Sequence, residues 1–333
     1  MQKMKAAVMY GLNDIRVEQV DKAKCDEDGI LVKIEAVGLC GSDIRNFSSG
    51  VRYGNYPCIL GHEQAGTIAE IGPKVKRDFK VGDRVYISPL SKKDSGGDWD
   101  PASGGFAEYL ALSEWNIENS NILSIPEGLK FEAATLAEPL SAVYACQDAI
   151  DVKIGQTVVI LGAGPIGCMH SELAKMRGAS KVIMIDLAEE RLKMALNFGV
   201  DNIINGAVLD PVEEVKNLTG GLGANHVICA NSTTKAQQQA VFMCARRGIV
   251  TLFGGVPKGS LVEIDTNRIH YASMWLYGHA GYSGQENRKA FELICSGQFD
   301  AEKYISRIMP LDDINEAIEL VKTNKVIKIV FNP

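Results

Sequence analysis

Residues 61–72 read GHEQAGTIAEIG, with His62 beside Glu63 and glycines at 66 and 72. An imidazole next to a carboxylate can bind a metal, work as an acid–base pair, or lie solvated at a surface. Cys40 comes 22 residues before His62, in GLCGSDIRNF, and Glu138 precedes Pro139 in TLAEPLSAVYACQ. Singly, a cysteine is more often a small buried apolar residue and a histidine a hydrogen-bonded core residue. Together, thiolate, imidazole and carboxylate make a zinc-binding set, and a catalytic zinc keeps one position open. Cys40, His62, Glu63 and Glu138 are therefore the candidate ligands, with Glu63 also a candidate for proton chemistry. Gly66 would let the chain pack closely behind them.

A second constellation is GAGPIG, with Gly162, Gly164 and Gly167. It directly follows the apolar run TVVIL and opens a helical stretch, which is the context a dinucleotide fingerprint requires. Gly162 permits the tight turn, Gly164 lets backbone approach a pyrophosphate, and Gly167 lets helix and strand pack. The first helical turn, with Pro165 and Ile166, offers free N–H groups and partial positive charge to phosphate. Asp186 closes the next strand, KVIMID, about where an acid accepting the adenosine ribose hydroxyls is expected. Such a carboxylate repels a 2′-phosphate, so NAD is expected over NADP. Arg191 belongs to the same candidate cofactor set. So do Gly254 and Gly255 in LFGGVPKG, and His279 and Ala280 in LYGHAGYS, since ligands bind at the carboxyl edge of open parallel sheets. His279 could be catalytic or simply packed.

These residues need two different scaffolds. The first 140 residues hold short β-like runs separated by turn signals, including KAAVMY, GILVKIEAVGLC and DRVYISPL. That texture predicts an irregular β-rich domain. From about residue 150, apolar strands alternate with helices of about 10 to 15 residues, which predicts a doubly wound parallel sheet. Within it, KAQQQAVFMCARRG reads as helix and IVTLFGG as strand. After about residue 275 two helical stretches, GQENRKAFELICSGQ and LDDINEAIELVKTNK, lead to a last strand, KIVFNP. The expected fold is α/β, with a nucleotide-binding domain over 146–275 between the segments 1–145 and 276–333.

A length of 333 residues suits two domains. A net charge of −6 gives no basic footprint for nucleic acid. No apolar run is long enough for a membrane span, and the opening MQKMKAAVMYGLNDIRV lacks a signal-peptide core. The eight cysteines are scattered, with no CxxC pair, which points to reduced thiols and a cytoplasmic protein.

GHEQAGTIAEIGPKV, GLCGSD, VGDRV, GGFAEY, EPLSA and GAGPIG resemble, in order, the motifs of the zinc-dependent medium-chain dehydrogenases. CGSD with AEPLSA resembles the polyol and sugar-phosphate branch of the sorbitol and galactitol-phosphate type. The resemblance spans essentially the whole chain and implies a discontinuous GroES-like catalytic domain, 1–145 with 276–333, beside a Rossmann domain over 146–275. It implies one catalytic zinc at Cys40, His62 and Glu63 or Glu138. Asp43 would fix the His62 tautomer, and Ser42 would take the substrate's hydroxyl proton. It further implies hydride transfer from a secondary alcohol of a polyol, sugar or sugar phosphate to NAD, in a homodimer or homotetramer. Two departures stand out. Most relatives carry four cysteines near residues 90–110 for a structural zinc, whereas this chain reads SPLSKKDSGGDWDPASGG, with no cysteine between 58 and 146. The lobe is therefore expected to be short and without a second zinc. Many relatives also place a proton-relaying histidine where Arg45 stands. Arginine cannot be a base at neutral pH, so Arg45 either binds an anionic group or lies at the surface. The weaker alternatives are a threonine 3-dehydrogenase-like enzyme, a zinc-free quinone or enone reductase, and a non-catalytic NAD-binding protein.

Overall fold

The computed structural model describes residues 2–50, 56–88 and 104–333. The chain divides into two compact units, Met1–Ser141 with Tyr282–Pro333, and Ala142–Gly281. In chain order the first contributes β1 (Lys3–Gly11), β2 (Asp14–Asp21), β3 (Ile30–Gly38), β4 (Cys58–Ile59), β5 (Glu63–Ile71), β6 (Arg84–Ile87), β7 (Tyr109–Leu112) and β8 (Ile122–Ser124). The second holds β9 (Thr157–Leu161), β10 (Lys181–Asp186), β11 (Asn202–Asn205), β12 (Ala224–Cys229), β13 (Cys244–Leu252) and β14 (Trp275–Gly278). The chain then returns to the first unit with β15 (Ile305–Pro310) and β16 (Lys328–Asn332).

Among the described residues, the first unit has a three-stranded sheet, β2-β1-β4, and a seven-stranded one, β15-β16-β3-β5-β6-β8 with β7 on β3. β3 is central, pairing antiparallel with β5, β7 and β16. Its apolar residues Ile30, Val32, Ile34 and Val37 enter a core shared with Ile68, Val85, Phe106 and Phe331. Burying such side chains contributes about 1.5–3 kcal/mol each, which anchors the strand ends that carry the candidate ligands.

The second unit is a six-stranded sheet in the order β11-β10-β9-β12-β13-β14, with every neighbouring pair parallel. Counted from β9, the order is 3-2-1-4-5-6, that of doubly wound dinucleotide-binding sheets. Connecting helices such as Pro165–Met176 and Thr234–Met243 cover its faces. That is why strands such as TVVIL are continuously apolar rather than alternating.

Two elements differ from expectation. The helix expected over 235–248 stops at Met243, and Cys244 begins β13 by pairing with Ala224. Sheet pairing overrides the local helical tendency there. ISRIMP forms β15, an edge strand parallel to β16; its mostly exposed residues leave no alternating apolar pattern in the sequence. The expected short lobe falls on residues 88–105, of which 89–103 lie outside the described residues. Among the described residues no helix is long and apolar enough to cross a membrane. All eight cysteines are described, and none is in a disulfide.

Two buried histidines tie this fold to pH. Burial pushes His170 down to about 3, helped by His279, and pushes His226 down to about 4, against the pull of Asp151. Unfolding restores values near 6.5. Below that pH the unfolded chain binds more protons, so stability falls as pH drops from about 6.5 toward the folded values. Each neutral histidine contributes a slope of up to about 1.4 kcal/mol per pH unit. His226→Gln should remove one such contribution, giving a shallower loss between pH 6 and 4.5 in urea unfolding. An unchanged slope would remove His226 from the account of acid sensitivity.

Candidate active site

The β3–β5 ladder sets Gly38 opposite Glu63. Cys40 lies two residues beyond Gly38, at the N-cap of the helix Gly41–Ser49, and His62 directly precedes Glu63. Antiparallel pairing thus closes the 22-residue gap between Cys40 and His62. One potential ligand atom from each of Cys40, His62 and Glu63 lies within 4.8 Å of the others, and among the described residues no other such group occurs. Cys40 and His62 are half-buried, and Glu63 is fully buried.

Glycine at 38 makes room for this carboxylate, because a Cβ there would lie 2.1 Å from Glu63 Oε2. Further along β5, Gly66 makes room for backbone, since a Cβ there would lie 2.1 Å from the Lys33 carbonyl oxygen. Glu63 Oε1 accepts a hydrogen bond from Lys328 Nζ at 2.6 Å. The same ammonium lies against Oε2, yet that oxygen accepts no directed hydrogen bond. A buried carboxylate oxygen that meets its ammonium without a directed hydrogen bond, beside a thiol and an imidazole, fits a bound metal cation.

Buried Asp43 uses both its oxygens. Oδ2 accepts the Cys40 backbone N–H at 3.0 Å, and Oδ1 lies 3.4 Å from His62 Nδ1. This arrangement leaves His62 Nε2 for the site; Ser42 Oγ is 3.5 Å from it. Burial alone would lower the His62 pKa, but Asp43 and Cys40 outweigh it and hold it well above its ordinary value. Glu138 lies in the first turn of the helix Ala137–Ala149 and outside the 4.8 Å group. Its Oε1 accepts from the Tyr282 hydroxyl at 3.0 Å, which lies 3.3 Å from Ser88 Oγ. Burial pushes the Glu138 carboxyl up; His62 pulls it down, Glu63 adds to the rise, and Tyr282 opposes it. Arg45 is exposed on the helix Gly41–Ser49, without an ion-pair partner among the described residues.

Lys328, Tyr282 and Ser88 escaped the sequence reading. Lys328 did leave a signal, a charge inside the apolar run VIKIVF. Nothing local marks Tyr282 or Ser88.

In the second unit, Gly162 adopts φ 115° directly after β9, in the left-handed region that glycine tolerates. A Cβ at Gly167 would lie 1.8 Å from the Gly162 carbonyl oxygen. At Gly164 the space is open, the nearest atom being Arg191 Nη1 at 3.9 Å. Pro165 and Ile166 form the half-exposed first turn behind it, and Arg191 Nε is buried without a partner. An open approach, free helix N–H groups and a guanidinium with an unpartnered Nε fit a dinucleotide phosphate. The Asp186 carboxylate is held by the N–H groups of Ala163 at 2.7 Å and Ala188 at 2.8 Å. Those bonds use one lone pair on each oxygen and leave others for further donors. Gly254 packs against Asn231, where a Cβ would meet the carbonyl oxygen at 2.0 Å, while Gly255 is open. The His279 N–H donates to the Leu252 carbonyl at 3.1 Å, and its ring stacks on Phe253. Ala280 beside it is exposed.

Gly38→Ala should force the Glu63 carboxylate to move, at a cost of about 1–3 kcal/mol. Urea unfolding would register it; a change below about 0.5 kcal/mol would mean that the carboxylate has room elsewhere.

Residues 26–127 match the alcohol dehydrogenase GroES-like domain, and residues 165–296 match the zinc-binding dehydrogenase domain. The chain is 31% identical to a sorbitol dehydrogenase of Bacillus subtilis (strain 168), across 100% of this chain and 98% of that one. It is 30% identical to a sorbitol dehydrogenase of Bombyx mori, across 98% of each. A crystal structure of a chain from Sinorhizobium meliloti 1021, bound to NADP, superposes with a TM-score of 0.89 at 26% identity, covering 100% of both chains. With its GroES-like and doubly wound halves and these relatives, the chain belongs to the zinc-binding medium-chain dehydrogenase family, in the polyol dehydrogenase-like branch, and is a zinc-dependent oxidoreductase that uses a nicotinamide cofactor.

Proposed function

We propose that this enzyme oxidises a secondary alcohol of a polyol, sugar or sugar phosphate and passes the hydride to NAD. The observation that carries the reading is the convergence of Cys40, His62 and Glu63 within 4.8 Å, in a chain matching sorbitol dehydrogenases along nearly its whole length. No observation favours a threonine dehydrogenase or a non-catalytic role. When bound, zinc supplies a Lewis acid for the substrate hydroxyl, and the nicotinamide supplies the carbon that accepts the hydride.

The protein's own groups have distinct tasks. Cys40, His62 and Glu63 would hold the metal, with Glu138 the alternative carboxylate. Asp43 is placed to hold the His62 proton on Nδ1, so that Nε2, once it has lost its own proton, presents a lone pair. Ser42 Oγ, beside that ring, takes the proton leaving the alcohol. Arg45 cannot relay it onward as a base; its fixed charge supports binding of a phosphate or carboxylate on the substrate. Arg191 and the helix behind Gly164 bind the pyrophosphate, and Gly254, Gly255, His279 and Ala280 line the nicotinamide end. Asp186 accepts the ribose hydroxyls and repels a 2′-phosphate, while Arg191 draws in the opposite direction. The family resemblance also supports a homodimer or homotetramer, which sedimentation equilibrium would measure, and the free thiols support a cytoplasmic location, which cell fractionation would check.

A panel of polyols, polyol phosphates and aldonic acids, each with NAD and NADP, tests the substrate class. Turnover should appear with at least one polyol or its phosphate, and Cys40→Ser should reduce it by at least about 100-fold, more than loss of a supporting hydrogen bond costs. Turnover unaffected in that variant would displace the metal assignment.

For the coenzyme, kcat/KM should favour NAD, and Asp186→Ser should cut the NAD-to-NADP ratio by about tenfold or more, equivalent to about 1.4 kcal/mol. Comparable wild-type efficiency with NADP would refute the role given to Asp186.

A further inference from the structure

Lys328 is the first residue of β16 and is only 3% exposed. Its ammonium makes two directed bonds, to Glu63 Oε1 at 2.6 Å and to the Leu39 carbonyl oxygen at 3.2 Å. Leu39 directly precedes Cys40, and Glu63 directly follows His62. One buried cation therefore ties together the two segments that carry the metal donors. Its strand is fixed independently by the pairs Val330↔Gly38 and Phe331↔Val37. A lone ammonium in such a place is costly unless paired, and so is a lone carboxylate.

We propose that Lys328 is the internal counter-ion of the metal site. Without metal it neutralises Glu63 and keeps the donor segments together. With zinc present it is a second cation beside the same carboxylate, and so weakens zinc binding. This rests on the ligand reading given above. Lys328 is a positioning residue: it acts on the site through Glu63 and touches neither substrate nor cofactor. The energetic consequence is asymmetric. Removing the ammonium leaves a buried carboxylate unpaired in the metal-free protein, whereas zinc can compensate it in the loaded protein. By the thermodynamic cycle, a variant destabilised more without zinc than with it must bind zinc more tightly.

The test uses the full-length enzyme, zinc alone as probe, competition with a chromophoric chelator for affinity, and thermal unfolding with and without zinc. Lys328→Met should lower Tm by on the order of 10 °C in the chelated protein. The loss should be clearly smaller in the loaded protein, with zinc affinity raised about tenfold or more. Lys328→Arg, which keeps the charge, should stay near wild type in both measurements. Lys328→Gln keeps a donor without the charge; it replaces the Met variant if that one does not fold, and should show the same tightening. Equal Tm losses with unchanged affinity would reduce Lys328 to a structural ion pair and overturn the proposal. Weakened zinc binding would overturn it too, by making Lys328 a support for ligation. Failure of both neutral variants to fold even with zinc would also overturn it. Cys40→Ser in the same assay separates the two readings. If it binds zinc as wild type does, the ligand assignment fails. If it loses zinc while the neutral Lys328 variants match wild type, only the counter-ion role fails.

Discussion

The candidate metal site depends on one antiparallel pairing, Gly38 against Glu63 at the end of the β3–β5 ladder. A shift of one residue would turn the Glu63 side chain to the opposite face. It would also carry His62 away from Cys40. The register is held from both sides. Apolar residues of β3 and β5 enter one core, and Gly66 admits a backbone approach that no side chain would allow. The helix starting at Gly41 then turns the chain so that Ser42 and Asp43 face the segment holding His62. Core packing pays for the positions of groups that would not assemble by themselves.

Around this pairing the protein manages charge rather than avoiding it. Asp43, Glu63 and Glu138 are acids brought near one another, together with a cysteine suited to bind as thiolate. Each carboxylate has a partner of different chemistry. Backbone N–H and imidazole serve Asp43, an ammonium serves Glu63, and a phenol serves Glu138. The three partners differ in strength. An ammonium cancels charge, a phenol only shares a proton, and an imidazole can do either. That ranking separates the two glutamates physically, although their sequence contexts look equally suited to a metal.

The nucleotide-binding unit solves a simpler problem. A parallel sheet covered by helices fixes where β9 ends, and a positive φ at Gly162 with close packing at Gly167 turns the chain into the following helix. Most of what this site needs is backbone, so few side chains are involved. Asp186 and Arg191 are the main exceptions, and the structure qualifies the simple reading of both. Asp186 already receives two backbone N–H groups, which orients it without saturating it. Arg191 brings positive charge to the Gly164 turn, with one donor buried and unused.

The amino-acid sequence alone determined the local chemistry. Gly162, Gly164, Gly167 and Asp186 are separated by one strand–helix–strand unit, so their spacing is itself a geometric statement. His62 and Glu63 are adjacent, and Cys40 stands next to a serine and an aspartate within one helical turn. Such features are legible because they depend on covalent neighbours. Tertiary structure decided the rest. Lys328 reaches Glu63 across 265 residues, and Tyr282 reaches Glu138 across 144. β15 exists because β16 offers it an edge, and the helix after Thr233 stops where Cys244 pairs with Ala224. Sequence spacing carries no information about which distant strands become neighbours. Pairing is settled by burial of whole faces, and only then does a lysine in an apolar strand acquire a carboxylate to neutralise.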